Sequence, residues 1–138
     1  MILVDTSVLL DVIEDDPRWG DWSERQLEAA SLEDSLCINP VIYAELSIGF
    51  ERIEELEAEL RAADIAVESI PREALFLAGK AYLSYRRQKG IKSGVLPDFF
   101  VGAHAAVTDF PLLTRDSSRV ATYFPTVRLI APDQITSR

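Results

Sequence analysis

The sequence predicts an α/β fold: a parallel five-stranded sheet with helices on both faces, in a single three-layer domain. Short apolar runs, rich in β-branched residues, alternate along the chain with longer stretches of helical periodicity. The runs are mostly apolar, which is typical of strands that helices cover on both faces. The chain has 138 residues, 48% of them hydrophobic, enough for one globular domain with its own core. We therefore expect one domain over residues 1–138.

Five apolar runs are the strand candidates. They are Ile2 to Asp5, Leu36 to Ile38, Ala66 to Ile70, Leu112 to Thr114 and Val127 to Ile130. Helical patterns fill the gaps between them, as the crossover connections of a parallel sheet require.

Capping residues, prolines and a glycine mark the predicted helix boundaries. Asp5 stands before the apolar pattern of the first helix, where a short oxygen-bearing side chain suits the N-cap. Asn39 and Pro40 are suited to the N-cap and first turn of another helix. Pro71 precedes a long helical pattern, and Gly90 stands where that helix should stop.

Charge and cysteine content exclude several classes of protein. Lys and Arg total 14 against 23 Asp and Glu, so the net charge is −9 and any contact with nucleic acid must be local. Cys37 is the only cysteine, which excludes an intrachain disulfide and a thiolate metal cluster. The apolar runs are too short to span a membrane, and the N-terminus lacks the pattern of a signal peptide. We expect a cytoplasmic protein.

Acidic residues follow several of the predicted strands. Asp5 ends the first strand, Asp116 follows the fourth, and Asp98 opens a helix just after Pro97. Ligands of open α/β sheets bind at the carboxyl ends of the strands, so these acids are candidate site residues. Each of them taken singly could instead be a helix cap, because negative charge is favourable in the first turn of a helix.

Glu45 has no capping role to explain it. It lies inside a helical pattern, with Val41 four residues before it and Ile48 three residues after it on an otherwise apolar face. A buried glutamate is costly unless it is paired or bound to a cation. The alternative is a glutamate at the edge of the stripe that reaches solvent or pairs with a distant arginine.

A shared site for a hard cation explains all four acids together. Mg²⁺ and Mn²⁺ prefer carboxylate oxygens, and Mg²⁺ keeps several of its waters. We expect Asp5 and Asp98 to bind the ion, with Glu45 and Asp116 acting directly or through water. Such an ion activates water and neutralises a phosphodiester, so hydrolysis of phosphate esters is the predicted chemistry.

Four segments of the chain resemble the motif blocks of a known family. The segments ILVDTSVLLD, INPVIYAEL, PDFFVGAHA and LLTRD are similar, in order and spacing, to those of PIN-domain ribonucleases, specifically VapC-type toxins of bacterial toxin–antitoxin pairs. The resemblance implies a metal-dependent endoribonuclease, usually a homodimer, that a cognate antitoxin silences. It implies that Asp5, Glu45, Asp98 and Asp116 are the catalytic acids. Thr6 matches a hydroxyl residue that supports the first acid, and Thr114 matches a further hydroxyl that lines the site.

One basic segment, YRRQKGIKSG, stands out in this acidic chain. It could bind RNA phosphates, or it could be a solvated helix end favoured by the helix dipole. Arg115 and Arg119 flank Asp116 and could contact phosphates at closer range or balance its charge. The residues that we predict to bind RNA are Arg86, Arg87, Lys89, Lys92 and Arg115.

Other readings of the sequence remain open. The chain could be a PIN-like binding module without catalysis. It could also be a phosphatase of the haloacid dehalogenase type, but such enzymes place a second aspartate two residues after the first, where this chain has Ser7.

His104 lies among apolar residues and is expected to pack in a helix. Trp19 and Trp22 could stack on RNA bases or pack in the protein.

Overall fold

A computed structural model of the chain describes residues 1–88 and 95–132. The strands are β1 Ile2–Val4, β2 Leu36–Ile38, β3 Ile65–Val67, β4 Leu112–Leu113 and β5 Leu129–Ile130. The helices are α1 Thr6–Ile13, α2 Gly20–Glu33, α3 Pro40–Ser47, α4 Ile53–Ala62, α5 Arg72–Arg87, α6 Leu96–Thr108 and α7 Ser118–Tyr123. The strands pair in parallel in the order β3-β2-β1-β4-β5, which confirms the predicted fold class.

The central strand, β1, determines where the chain presents its first acid. Leu3 pairs with Cys37 of β2 on one side and with Leu112 of β4 on the other. All three residues of β1 are exposed by 2% or less, so the strand lies in the middle of the core. The chain leaves β1 at the carboxyl edge of the sheet, which places Asp5 at the centre of the edge where ligands bind in such folds.

Two predicted strands differ from the observed ones by more than one residue. The predicted strand Ala66 to Ile70 begins one residue earlier, at Ile65, the buried residue of this edge strand, and ends after three residues. The predicted strand Val127 to Ile130 begins two residues later. Its first residue is part of the turn after α7, because the backbone N–H of Val127 donates to the carbonyl of Phe124 (3.1 Å).

Two of the predicted helix starts, those of α1 and α3, are confirmed by side-chain caps. The Asp5 carboxylate accepts a hydrogen bond from the backbone N–H of Thr6 (2.8 Å) at the start of α1. The Asn39 side chain accepts from the backbone N–H of Ile42 (2.9 Å), and Pro40 is the first residue of α3. Both caps satisfy N–H groups that a helix leaves free at its beginning.

Helices α5, α6 and α7 pack together beside the carboxyl edge of the sheet. As predicted, α5 begins directly after Pro71, whereas the predicted stop at Gly90 lies outside the described residues. Gly102 of α6 lies against the ring of Phe124, which ends α7, and a Cβ at this position would overlap the ring. The close approach of α7 to α6 therefore depends on a glycine. Within the described ranges, no helix is both long enough and apolar enough to span a bilayer.

Candidate active site

Three of the predicted acids line one small cavity at the carboxyl edge of the sheet. Asp5 follows β1, Asp116 follows the neighbouring strand β4, and Asp98 lies in the first turn of α6. The residues that line the cavity are Asp5, Asp98, Val101, Asp116, Arg119 and Val120. Its volume is about 10 Å³, room for roughly one water molecule. The structure thus brings together acids that are up to 111 residues apart in sequence, from position 5 to position 116.

Asp5 is the most tightly held of these acids. One carboxylate oxygen accepts from the backbone N–H of Thr6 (2.8 Å), and the other accepts from the hydroxyl of Thr114 (2.8 Å). Burial raises the pKa of Asp5 to about 6, and the negative charges of Asp98 and Glu45 act in the same direction. The two hydrogen bonds oppose this rise because they stabilise the charged carboxylate. Without a cation, the folded chain holds this carboxylate at an energetic cost.

Thr114 also connects Asp5 to the loop that carries Asp116. The Thr114 side chain is fully buried, and its hydroxyl accepts from the backbone N–H of Asp116 (3.1 Å) while it donates to Asp5. One hydroxyl group therefore fixes the two acids relative to each other.

Glu45 joins this group through Thr6. The Thr6 hydroxyl donates to the Glu45 carboxylate with an oxygen–oxygen distance of 2.6 Å. The backbone N–H of Thr6 donates to the carboxylate of Asp5, the N-cap of α1. Thr6 is buried, so both hydrogen bonds are partly shielded from solvent. The sequence predicts that Thr6 supports the first acid, Asp5. In the structure Thr6 contacts Asp5 through its backbone N–H, whereas its hydroxyl contacts Glu45.

Of the two positions that the sequence left open for Glu45, the structure shows the one at the edge of the apolar stripe. The buried residues of α3 are Ile42 and Leu46, whereas Glu45 is half-buried. Ile48, which was expected on the buried face, is 86% exposed because α3 ends at Ser47 and the chain turns away from the core. Glu45 lies at the edge of the buried stripe, facing Thr6.

Asp98 forms an ion pair with another residue that lines the cavity. An Arg119 guanidinium nitrogen contacts one oxygen of the Asp98 carboxylate, and the guanidinium carbon lies 5.6 Å from the centre of the Tyr85 ring. Partial burial raises the pKa of Asp98, and the charge of Asp116 adds to this rise, whereas Arg119 opposes it. Arg119 is therefore the counter-ion of the acid cavity.

The carboxylates of the cavity suit a hard cation, but only one or two of them can bind it directly. Within residues 1–88 and 95–132, no three His, Cys, Asp or Glu side chains lie close enough together to bind one ion in this arrangement. Asp5, Asp98 and Asp116 nevertheless line one cavity with oxygen donors, which Mg²⁺ and Mn²⁺ prefer. The residues present fit an ion that has one or two carboxylate ligands and keeps several waters.

Arg115, one of the predicted RNA-binding residues, pairs with a carboxylate that the sequence analysis did not single out. Two of its nitrogens donate to the oxygens of Asp11 (2.8 and 3.0 Å), and Asp11, only 2% exposed, also accepts from the Ser23 hydroxyl (2.8 Å). Asp11 lies three residues after the buried Val8 on α1, a helical spacing that could have indicated its burial. The guanidinium carbon of Arg115 lies 5.7 Å from the centre of the Trp19 ring.

The remaining singled-out residues lie in different environments. Arg86 and Arg87 are exposed in the last turn of α5, next to Tyr85, whereas Lys89 and Lys92 lie outside the described residues. His104 is buried, its Nδ1 lies 3.2 Å from the side-chain nitrogen of Asn39, and burial lowers its pKa. It packs in the core, as expected. Trp19 and Trp22 contact each other edge to face, with ring centres 6.0 Å apart.

The sequence matches the family described as PIN domain over residues 2–123. The chain belongs to the PIN domain family. The members of this family are nucleases, and nucleases are hydrolases. The family match confirms the resemblance to PIN domains that the motif blocks predicted.

Solved structures share the PIN fold over nearly the whole chain. VapBC2 from Rickettsia felis bound to promoter DNA gives a TM-score of 0.72 at 18% identity, covering 95% of this chain and 98% of that one. A toxin–antitoxin complex from Klebsiella pneumoniae gives 0.66 at 20% identity, covering 96% and 98%. FitAcB from Neisseria gonorrhoeae gives 0.63 at 20% identity, covering 94% and 96%. Comparison with curated protein sequences gives no significant match.

Substitution of Asp5 by Asn should stabilise the metal-free protein at neutral pH. A carboxyl whose pKa is about 6 when folded and 3.8 ordinarily binds more protons in the folded chain, so stability falls as the pH rises from about 4 to about 6. Asparagine removes this charge and keeps an acceptor for the Thr6 N–H. We expect Asp5→Asn to gain about 3 kcal/mol in free energy of unfolding at pH 7.5, since each unit of the pKa rise from 3.8 to about 6 corresponds to about 1.4 kcal/mol.

Urea unfolding with chelator, at pH 7.5 and pH 4.0, measures this gain. At pH 4.0 the wild-type Asp5 carboxyl is mostly protonated, so the two proteins should differ little there. An equal difference in unfolding free energy at both pH values would contradict a raised pKa of Asp5 in the folded protein.

Substitution of Arg115 by Ala should destabilise the fold. It leaves the carboxylate of Asp11 buried without its counter-ion, a change that costs about 3 kcal/mol in comparable pairs. Arg87→Ala is the control, because exposed side chains of this kind typically change stability by about 0.5 kcal/mol or less. Urea unfolding of the three proteins measures the difference, and equal midpoints would show that Arg115 has no structural role.

Proposed function

We propose that this chain is a metal-dependent endoribonuclease and the toxin of a toxin–antitoxin pair, with one PIN domain over residues 1–138. The observation that carries this proposal is the convergence of acids from separate elements on one cavity in a member of a nuclease family. The proposed catalytic residues are Asp5, Glu45, Asp98 and Asp116. A cluster of carboxylates with a raised pKa at Asp5 is costly to maintain, which favours a functional role over a structural one.

The proposed cofactor is Mg²⁺ or Mn²⁺. Asp5 and Asp98 would bind it, and Glu45 and Asp116 would act directly or through water. When bound, such an ion lowers the pKa of a water ligand and neutralises charge on a phosphodiester. The chain's own residues position the acids: Thr114 holds the Asp5 carboxylate, and the buried Thr6 holds Glu45.

RNA is the proposed substrate, and local positive charge is the proposed means of binding it. Arg86 and Arg87 are exposed at the end of α5, and the neighbouring Tyr85 contacts the cavity residue Arg119. Arg115 contributes less in this proposal, because two of its nitrogens are already bonded to Asp11. Exposed arginines at the end of α5 would supply local positive charge for a phosphate backbone in a chain whose net charge is −9.

The proposed protein partners are a cognate antitoxin and a second copy of this chain. The structural likeness to VapBC2 and to a toxin–antitoxin complex, over nearly the whole length of both chains, supports the antitoxin. A nuclease that acts on cellular RNA must be restrained in the cytoplasm, its proposed location. Binding of the antitoxin over the acid cavity would provide that restraint, with an arginine side chain suited to pair with the carboxylates.

Two other functions are less well supported. In a silent binding module, the charge cluster would have no use, and a raised pKa at Asp5 would be a cost without a benefit. A phosphatase of the haloacid dehalogenase type needs an acid at the position of Ser7, whose hydroxyl lies 3.5 Å from the Asp5 carboxylate. Membership of the PIN family argues against that class.

Cleavage of RNA in vitro tests the proposed activity. We expect the wild-type chain to cleave single-stranded or structured RNA with Mg²⁺ or Mn²⁺, and a chelator to abolish cleavage. Asp98→Asn should lower the rate at least about 100-fold, because it removes a charged oxygen ligand and changes little else in size. The matched control is Asp109→Asn, since Asp109 is exposed at the other end of α6 and has a left-handed backbone (φ 59°) that asparagine tolerates. Cleavage that persists in chelator, or equal rates in the two variants, would contradict the proposal.

Expression of the chain without a partner tests the toxin role. Induction of the wild type should slow bacterial growth, because uncontrolled RNA cleavage stops protein synthesis. Asp98→Asn should leave growth normal at the same protein level, and Asp109→Asn should be as toxic as the wild type. Growth curves with immunoblots measure this, and equal growth with all three proteins would rule out a toxin while leaving the nuclease assay to decide the chemistry.

A further inference from the structure

The acid cavity contains one basic side chain among the six residues that line it, Arg119. Its guanidinium contacts the Asp98 carboxylate and lies over the Tyr85 ring, and its side chain is 24% exposed. Asp98 is one of the two acids that are proposed to bind the cation directly. Arg119 therefore places its positive charge on a carboxylate that the cation would use.

A divalent cation and this guanidinium compete for Asp98. Two positive groups on one carboxylate repel each other, and at an effective dielectric constant of about 20 a neighbouring unit charge changes an ion's affinity about tenfold or more. Cation binding at Asp98 should therefore weaken the contact between Arg119 and Asp98. Because the side chain is partly exposed, the guanidinium can turn toward the mouth of the cavity without crossing the core.

The surroundings of Arg119 favour a phosphate as its second partner. The Tyr85 ring holds the guanidinium near the cavity through a cation–π contact, which does not require Asp98. Arg86 and Arg87 follow Tyr85 in the last turn of α5 and are exposed, so further positive charge lies on the same helix end. The planar fork of N–H donors on arginine matches the oxygens of a phosphate group.

We propose that Arg119 exchanges partners during binding: it pairs with Asp98 in the free chain and contacts an RNA phosphate once a divalent cation binds at Asp98. This inference rests on the proposed function and adds a residue that couples the two ligands. Through Arg119, cation binding prepares a phosphate contact, and RNA binding removes a competitor of the cation. Such coupling acts equally in both directions.

Titration of the full chain with Mn²⁺, in the absence of RNA, tests the first half of the proposal. Removal of the competing charge in Arg119→Gln should tighten Mn²⁺ binding about tenfold relative to wild type. Arg119→Lys keeps the charge and should stay close to wild type, which separates a charge effect from a packing effect. Arg128→Gln is the matched control, because Arg128 is exposed and comes just before β5, at the opposite edge of the sheet from the acids.

Binding of labelled single-stranded RNA to the Mn²⁺-loaded proteins tests the second half. Arg119→Gln should bind RNA more weakly than wild type, and its log–log salt slope should be smaller by about 0.7, the loss of one phosphate contact. Binding is read before cleavage proceeds, and a denaturing gel confirms that the RNA is intact. Arg128→Gln should keep the wild-type slope.

Three results would overturn the proposal: Mn²⁺ affinity of Arg119→Gln equal to or below wild type, equally tight binding by Arg119→Lys and Arg119→Gln, or an unchanged salt slope in Arg119→Gln. Its failure differs from failure of the proposed function. If the wild type binds Mn²⁺ and cleaves RNA while Arg119→Gln binds both ligands as the wild type does, only the role of Arg119 is wrong. If the wild type neither binds Mn²⁺ nor cleaves RNA, the nuclease proposal itself fails.

Discussion

The burial of a carboxylate at the end of the central strand is the constraint on which the rest of the site depends. Asp5 must leave β1 at the carboxyl edge, and its backbone N–H still donates to Leu113 of β4 (2.9 Å), so it cannot move away from the sheet. A charged group in this position needs donors, which the buried Thr114 and the first N–H of α1 supply. The residues around Asp5 serve to hold one negative charge in place.

The segment after β4 supplies most of what this charge requires. Thr114 bonds to Asp5, Asp116 contributes a further acid, and Arg119 brings a positive charge back to the cavity. Arg115, in the same segment, does not line the cavity and instead pairs with the buried Asp11. Two arginines four residues apart therefore compensate two different acids, one in the site and one in the core beside it.

An aromatic cluster behind the cavity connects these charges to the hydrophobic core. The Phe99 ring contacts Tyr85, Tyr123 and Phe124, with ring centres 5.5, 5.3 and 6.1 Å apart, and thereby joins α5, α6 and α7. Tyr85 in turn lies beneath the guanidinium of Arg119. Since Phe99 directly follows Asp98 in sequence, the packing of this cluster fixes both partners of the ion pair. Apolar packing therefore positions the residues of the site, and the neighbouring charges shift the pKa of its acids.

The sequence by itself determined the fold class, the caps of α1 and α3 and the positions of Asp5 and Asp116 after strands, whereas the tertiary structure decided which charged groups meet. Apolar runs, Asn39 before Pro40, and Asp5 after a buried strand are recognisable because strand burial and helix capping act over a few residues. The partners of long side chains depend on packing between distant segments. Arg115 meets Asp11 across 104 residues, and the face of Glu45 is set by Thr6, 39 residues away. No local sequence pattern indicates contacts between residues so far apart in the chain. These contacts form only when the sheet order places β1 between β2 and β4.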